Sequence, residues 1–546
     1  MSSSEHWLTD ILTKLIEFRG EKSIYICNGG LSVSGLQHIG RLRGEITIND
    51  AIISLLEENG FKGKHTLILY TQDPWKGKNK QLSVFKNPDE AKKYISWPLI
   101  MVPDPFDCCD NWVEHFWKDF GDYLELFTHE VDVITTTDLY KSDKMKEFIK
   151  IAFEKRERIR STINKYRGRK PYPENWLPFE AICENCNRIG AESINADVNS
   201  YRVRYRCHYC GHEGETFMWN GKLTWRLEWV SIWYCLNVDF EPFGKDHAMP
   251  GGSRDSCVDL TVNVFDIKPP LGLAYEWVGY YKDGKDIGDM GSSDFIGFSP
   301  REWVEVAEPE VLRFLYLVQE PMKRIIIGLE NIPQYTDQFD RVERLYYGVE
   351  KPSKRELSQL KQLLKSFKLA HIKPLPDKIP IQLPYLHAVA LVQTLPRENL
   401  VENAIIRLKA TKFTSKELSS EDVERIRNRL NYARNWLQKY APEVYKIRLL
   451  EILSEDVVNK LNEKQIQMLS ILRKNLEHCR WIDEELKNAM IRVPRTSKEE
   501  ERLFFEALYL IFFGQIHGPR ISPYLSILEK SFVLNRIDEV VNKFRE

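Results

Sequence analysis

The segment 27-CNGGLSVSGLQHIGRLRG-44 constrains this chain more than any other. It follows the apolar piece Ile24-Tyr25-Ile26, passes through a glycine and serine turn, and runs into helix-compatible sequence. Gly29, Gly30 and Gly35 let backbone approach a ligand closely. The free N–H groups of a following helix would face phosphate, with His38 and Arg41 near the same end. Neither of the two common glycine motifs fits: the dinucleotide spacing is absent, and so is the Gly-Lys-Ser/Thr ending of a P-loop. Two readings stay open, an ATP site in which a histidine meets phosphate and a glycine-rich surface turn before an ordinary helix.

The flanking pattern favours a sheet. Ile11, Leu12, Leu15 and Ile16 fit one helix face, Ile24–Ile26 a strand, Ile46 through Leu56 a helix, and Thr66–Tyr70 a second buried strand. This β-α-β order predicts a parallel sheet covered by helices, with the site at the carboxyl ends of its strands. At 546 residues the chain exceeds one ordinary core. From about 80 to 225 the alternation is interrupted by an insertion that includes 97-WPLIMVPDPFDCCDNWVEHFWKDF-120 and a predicted helix at 144–167. The expected organisation is multidomain α/β. Residues 1–80 and 226–307 are two halves of a nucleotide-binding core around an insertion at 81–225, followed by a helical connector at 308–395 and a helical domain at 396–546. In the last domain Ser419 and Asp422 suit a helix cap. Val423, Ile426, Leu430, Ala433, Leu437 and Tyr440 then recur on one face until Pro442. The apolar stretch 503–514, with Phe504, Phe505, Phe512 and Phe513, reads as a buried helix.

The formal charge of −1 argues against an indiscriminate polyanion binder. No amino-terminal signal pattern or bilayer-length apolar run appears, so no membrane association is expected. Four of the ten cysteines form two pairs, 183-CENC-186 and 207-CHYC-210. Such pairs in a large chain favour a metal and a reducing compartment over a disulfide framework. Cys183, Cys186, Cys207 and Cys210 complete a tetrahedral thiolate set that suits structural zinc. Iron also accepts tetrahedral sulfur.

Taken in order, further segments make the chain recognisable. Ser34-Gly35-Leu36-Gln37-His38-Ile39-Gly40 resembles the His-Ile-Gly-His signature of class I aminoacyl-tRNA synthetases. With 238-VDFEPFGKDH-247, 275-YEWVG-279, 310-EVLRFLYL-317, 340-DRVERLYYGVE-350, 420-SEDVERIRNRLNYARNWLQKYAPE-443 and 514-GQIHGPRISPYLSILEKSFVLNRI-537, the chain resembles archaeal-type class I lysyl-tRNA synthetases almost throughout. The resemblance implies a Rossmann-like catalytic core, a zinc-bearing insertion and a carboxyl-terminal helical anticodon-binding domain. It also implies ligation of L-lysine to tRNA(Lys) with ATP and Mg²⁺, in a cytoplasmic monomer.

By the same resemblance, His38 contacts the ATP phosphates, Gly40 lets adenine pack closely, and Arg41 stands where the family usually has histidine. Gly35, Asp246, His247, Met290 and Ser292 join the ATP site, and Gly30, Ser32, His247 and Tyr275 the lysine site. Glu276 is a candidate for added charge and Trp225 and Trp229 for walls, while Gly251, Gly252 and Ser253 suit a turn against the nucleotide. The family's mobile Lys-Met-Ser-x-Ser clamp is altered here. In 284-GKDIGDMGSSDFIG-297, Asp289 takes the lysine position and Gly291 the first serine, while Ser293 keeps the last. Lys282 or Lys285 from the same loop, or Lys76, Lys78 and Lys80 from 70-YTQDPWKGKNK-80, are the cations available to compensate. The alternative is a synthetase-shaped paralogue that binds tRNA without charging it. For tRNA the candidates are Arg156, Arg158, Arg160 and Arg169 in 155-KRERIRSTINKYRGRK-170, a run that also suits a solvated helix face, and Arg492, Arg495 and Arg520 near the carboxyl terminus.

Overall fold

The computed structural model describes residues 6–545 apart from 169, 412, 415, 416, 447, 451 and 519. The chain divides into two compact units. The first runs to Val304 and takes in Glu308–Ile327 and Lys351–Leu375. The second comprises Glu305–Ala307, Gly328–Glu350 and the chain from Pro376 onward.

Within the first unit, β1 (Ile24–Leu31), β2 (Lys62–Leu69) and β3 (Val131–Thr135) precede the strands of the insertion. Those are β4 (Phe179–Ile182), β5 (Ile189–Asp197), β6 (Arg202–Arg206), β7 (Glu213–Phe217) and β8 (Gly221–Leu223). Then come β9 (Phe240–Gly244), β10 (Leu271–Tyr275), β11 (Val278–Lys282), β12 (Lys285–Asp289) and β13 (Ile325–Ile327). The central sheet has the order β10-β9-β1-β2-β3, and every neighbouring pair is parallel. The insertion folds its five strands antiparallel, as β7-β6-β5-β4-β8. Buried side chains from the helix Trp7–Arg19 and from Ile48–Leu56 cover one region of the central sheet.

Two details depart from the sequence reading. The strand β1 continues through both glycines to Leu31, with Gly29 opposite Leu67 and Gly30 opposite Ile68. A side chain at Gly29 would lie 2.8 Å from Glu45 Cβ, and one at Gly30 2.8 Å from the Tyr70 ring. These glycines permit close approach inside a strand, and the turn follows them. The predicted helix at 144–167 is two helices, Asp143–Glu154 and Arg156–Asn164. Between them Lys155 leaves helical geometry and donates to the Val264 carbonyl at 2.9 Å.

The signature helix is also irregular. A tight turn at Ile39–Leu42 widens into a π-helical turn at Arg43–Ile48 before the α-helix Asn49–Glu58. Such wide turns re-aim side chains and concentrate at functional sites. The helix is anchored by Asp50, whose carboxylate pairs at 2.7 Å with the fully buried Arg313. Arg313 also donates to the carbonyls of Phe127, Leu369 and Ala370, so its burial leaves its charge well satisfied.

Helices dominate the second unit, including Ile332–Tyr346, Ser420–Lys439, Lys498–Phe513 and Lys530–Arg545. Ser419 and Asp422 form the expected capping box. The buried face after it is Ile426, Arg429, Leu430, Ala433 and Trp436. Trp436 displaces the expected Leu437 from that face, because its indole N–H reaches the Leu329 carbonyl at 2.7 Å. Arg429 pairs with Asp340 at 2.9 Å and donates to the Leu383 carbonyl. Phe504, Phe512 and Phe513 are buried, as expected for a core helix, whereas Phe505 is only half-buried. Among the described residues no helix is long and apolar enough to cross a membrane.

Candidate active site

The carboxyl ends of β1, β2, β9 and β10 open into one cleft of about 830 Å³. Gly30, Ser32, His38, Gly40, Arg41, Asp246, His247, Tyr275, Met290, Ser292 and Ser293 all line it. Sequence positions 30 to 293 thus converge where a parallel sheet places its ligand. Gly35 is not in the lining: at φ +156° it backs onto the Ser292 carbonyl, which a Cβ would approach to 2.5 Å. Gly251, Gly252 and Ser253 turn outside the cleft lining as well.

His38 is 6% exposed, and its Nδ1 has no hydrogen-bond partner. Burial, reinforced by the Arg41 charge, holds its pKa well below the usual histidine range. The imidazole is therefore neutral, and an unpartnered polar atom waits at the cleft wall. The Ser292 hydroxyl is a second buried group without a partner in the same lining. The Ile39 N–H donates instead to the Phe298 carbonyl at 2.9 Å, so this helix start offers fewer free amides than the sequence suggested. These two orphaned groups suit a phosphate-bearing ligand.

Other lining residues of the cleft are acidic and aromatic. Tyr275 is 5% exposed, and its hydroxyl donates to Glu45 at 2.6 Å. Its ring lies over Gly44, where any Cβ would clash at 2.1 Å. Burial raises the Glu45 carboxyl to about 7. Glu241 accepts from Asn28 at 2.7 Å, Trp229 at 2.9 Å and Trp233 at 2.6 Å. Glu228 is paired with the buried Lys222 at 2.8 Å, and Lys222 also meets Asp73 at 2.7 Å. His247 lies 5.2 Å from both the Trp225 and Trp229 rings, so the expected aromatic wall is assembled. Glu276 is diverted: it pairs with Lys245 and does not line the cleft.

Glu45, Tyr70, Lys222, Glu228 and Glu241 line the cleft but escaped the sequence reading. The available signal was an acid inside an apolar run, as in 225-WRLEWVSIW-233. Such acids are seldom buried without a partner or a task.

On the clamp side, Asp289 does not stand alone. Arg324 donates to it at 2.8 Å and grips Asp286 at 2.6 and 3.1 Å. Lys282 and Lys285 are cross-strand partners at the exposed end of the β11–β12 hairpin, and neither lines the cleft. Lys76 does line it, and Lys78 pairs with Asp294 of the loop at 2.8 Å. Gly291 and Ile296 exchange backbone hydrogen bonds of 2.8 and 3.0 Å, closing the loop tightly. Gly297, at φ +128°, packs where a Cβ would lie 2.9 Å from His38. The altered clamp and the histidine signature are thus in direct contact.

In the insertion, Cys183 and Cys210 sulfurs are 3.7 Å apart, as are those of Cys186 and Cys207. All four lie within 4.8 Å of one another. Each pair closes a knuckle ending in a left-handed residue, Asn187 or Gly211. Four thiolates at this spacing fit a tetrahedral ion. His212 is occupied by Glu184 at 2.9 Å.

The basic run is largely engaged within its own unit. Arg156 and Arg160 pair with Glu157 at 3.4 and 3.0 Å, and Arg158 donates to the Asn263 carbonyl. Arg169 lies outside the described residues. In the second unit Arg492 and Arg520 are exposed, whereas Arg495 stacks 4.9 Å from the Phe504 ring.

Comparison with known proteins gives one answer. Residues 5–368 match the family described as tRNA synthetases class I (K). The chain is 41% identical to the Lysine--tRNA ligase of Aeropyrum pernix, over 99% of both chains. It is 35% identical to that of Pyrococcus horikoshii and 32% identical to that of Methanocaldococcus jannaschii, in each case over 97% of this chain and 99% of the relative. End-to-end similarity at this level, with the signature residues gathered in one cleft, places the chain in the class I tRNA synthetase (K) family.

Proposed function

We propose that this chain ligates L-lysine to tRNA(Lys) in two ATP-dependent steps. The observation that carries the reading is the end-to-end likeness to proteins named Lysine--tRNA ligase, in a chain whose cleft offers a neutral, unpartnered imidazole on one side and buried carboxylates on the other. In the first step the lysine carboxylate attacks the α-phosphorus of ATP, and the bond to the bridging oxygen breaks to release pyrophosphate. In the second, a terminal ribose hydroxyl of tRNA attacks the activated carbonyl, and AMP leaves.

His38 and Ser292 hydrogen-bond phosphate oxygens as charge builds on them, with Arg41 supplying positive charge beside them. Mg²⁺ carried by the triphosphate would supply further positive charge. Asp246 and His247 hold the nucleotide's ribose side. Tyr275, Trp225 and Trp229 pack on the aliphatic stem of lysine, with Gly30 and Ser32 at its other edge. Glu228 and Glu241 already have cationic or N–H partners, which leaves Glu45 as the carboxylate best matched to a substrate ammonium.

Cys183, Cys186, Cys207 and Cys210 would hold zinc, which would organise the insertion and take no part in the chemistry. The helical second unit grips the anticodon, with Arg492 and Arg520 as phosphate or base contacts. Arg156, its side chain about half exposed, is the member of the basic run assigned to the acceptor end. Charging of tRNA(Lys) with labelled lysine, ATP and Mg²⁺ tests the proposal. Lysyl-tRNA should accumulate, and folded protein that binds tRNA(Lys) without charging it would overturn the reading.

A further inference from the structure

A smaller cavity of about 250 Å³ adjoins the catalytic cleft, and Glu180 of β4 and Trp225 line both spaces. Arg167, Tyr172 and Arg226 also face it. Tyr172 is held in place by Asn164 at the end of the helix Arg156–Asn164, which accepts from its N–H at 2.7 Å and donates to its carbonyl at 3.0 Å. Its ring stacks on Trp176 at 4.3 Å, and the Arg167 guanidinium lies 3.9 Å over it.

Two charged groups in this cavity are uncommitted. Arg226 sits in the first turn of the helix Trp225–Leu236, and its Nε is buried without a hydrogen-bond partner. Glu180 faces the same space, where burial raises its pKa and the Lys222 charge opposes the rise. Among the described residues neither side chain forms an ion pair, with the other or with any third group. A buried donor left unsatisfied is costly, so a guanidinium and a carboxylate that share a space without pairing call for a ligand that brings both an acceptor and a donor. The walls add a preference for flat rings. Trp225 is 47% exposed, although its ring meets Trp229 edge-on at 5.0 Å and His247 at 5.2 Å. Indole and guanidinium planes are the surfaces on which unpaired bases stack.

We propose that this cavity seats a nucleotide of the single-stranded 3′ end of tRNA during the second step. Its phosphate meets Arg226 and Arg167, its base packs against Trp225, and an exocyclic amine of that base donates to Glu180. The inference rests on the ligation of lysine to tRNA proposed above and adds the place where the tRNA end is held. The basic helix Arg156–Asn164 leads directly to Arg167, which gives the strand a charged approach. A free amino acid carries the same pair of charges, but it need not have a ring to set against Trp225. Since Trp225 also lines the cleft, a nucleotide seated here lies next to the space in which the terminal ribose must reach the activated lysine.

Two assays separate this role from adenylation. Lysine-dependent pyrophosphate exchange without tRNA should be the same in Arg226→Gln and Arg167→Gln protein as in wild type. Charging of tRNA(Lys) should fall by about tenfold in each, the effect of one lost charge-assisted contact, and Arg226→Lys should recover part of that loss. Binding supplies a readout that needs no turnover. Wild-type protein should bind tRNA(Lys) about tenfold more tightly than the same tRNA trimmed of its two 3′-terminal nucleotides, and Arg226→Gln should bind the two alike. If wild-type protein shows no exchange, the ligase reading fails, while the binding comparison still decides the cavity. Equal losses of exchange and charging in folded variants would overturn the proposal, as would an Arg226→Gln protein that prefers intact tRNA as strongly as wild type does. Should Arg226→Gln not fold, the half-buried Arg167 carries the same comparison, and an unchanged preference in Arg167→Gln overturns the proposal as well.

Discussion

The two walls that meet across the cleft treat phosphate differently. On the signature wall, a buried neutral histidine stands beside Arg41, and no acid makes a direct ion pair with either among the described residues. On the clamp wall, three acids at 286, 289 and 294 are each answered by a cation from elsewhere, Arg324 or Lys78. The positive charge beside these acids is borrowed from elsewhere in the fold. Charge reversal at one position therefore does not leave a bare carboxylate beside phosphate, because the surrounding fold returns the positive charge.

If the signature wall carries most of the phosphate stabilisation, His38→Ala should cause the largest loss. The expected fall in lysine-dependent adenylation is about 10²–10³ in kcat, roughly 3–4 kcal/mol for one positioned donor. Thermal melting should change little, since its Nδ1 has no partner to lose. A parallel collapse of stability would assign His38 to packing. On the clamp wall, Arg324→Gln should slow adenylation by about tenfold, as two carboxylates lose a charge-assisted partner. Adding Asp289→Asn should recover much of that loss. Steady-state kinetics in ATP that do not respond to either change would show the ion pair to be purely structural.

A smaller effect is expected on the amino-acid side. Burial raises the Glu45 carboxyl to about 7, so it is protonated below that pH and ionised above it. The lysine ammonium, with a pKa near 10.4, keeps its charge throughout. Lysine affinity measured by calorimetry should therefore rise by up to about tenfold between roughly pH 6 and 8, with a proton released on binding. Glu45→Gln should flatten that profile. An unchanged slope would move the ammonium contact to another residue.

Much of this architecture was legible beforehand because it rests on local chemistry. Alternating apolar segments gave the β-α-β start, paired cysteines gave the knuckles, and Ser419 with Asp422 gave a cap that forms as expected. Less legible were features fixed by distant partners. Nothing around Glu45 announces that a π-helical turn and Tyr275 will make it a cleft residue. Likewise, Glu276 looked available until Lys245 claimed it, and Asp289 looked unopposed until the fold brought Arg324 beside it. Local sequence carries periodicity and ligand spacing, whereas the pairing of buried charges depends on contacts made only after folding.

The central claim is that this cleft activates lysine despite its altered clamp. Lysine-dependent exchange of labelled pyrophosphate into ATP, measured with Mg²⁺ against all twenty amino acids and with and without tRNA(Lys), tests it most directly. The account predicts that lysine gives the strongest exchange, that His38→Ala abolishes most of it, and that Arg324→Gln weakens it less. Folded wild-type protein showing no exchange with lysine in either condition, or stronger exchange with another amino acid, would contradict the account.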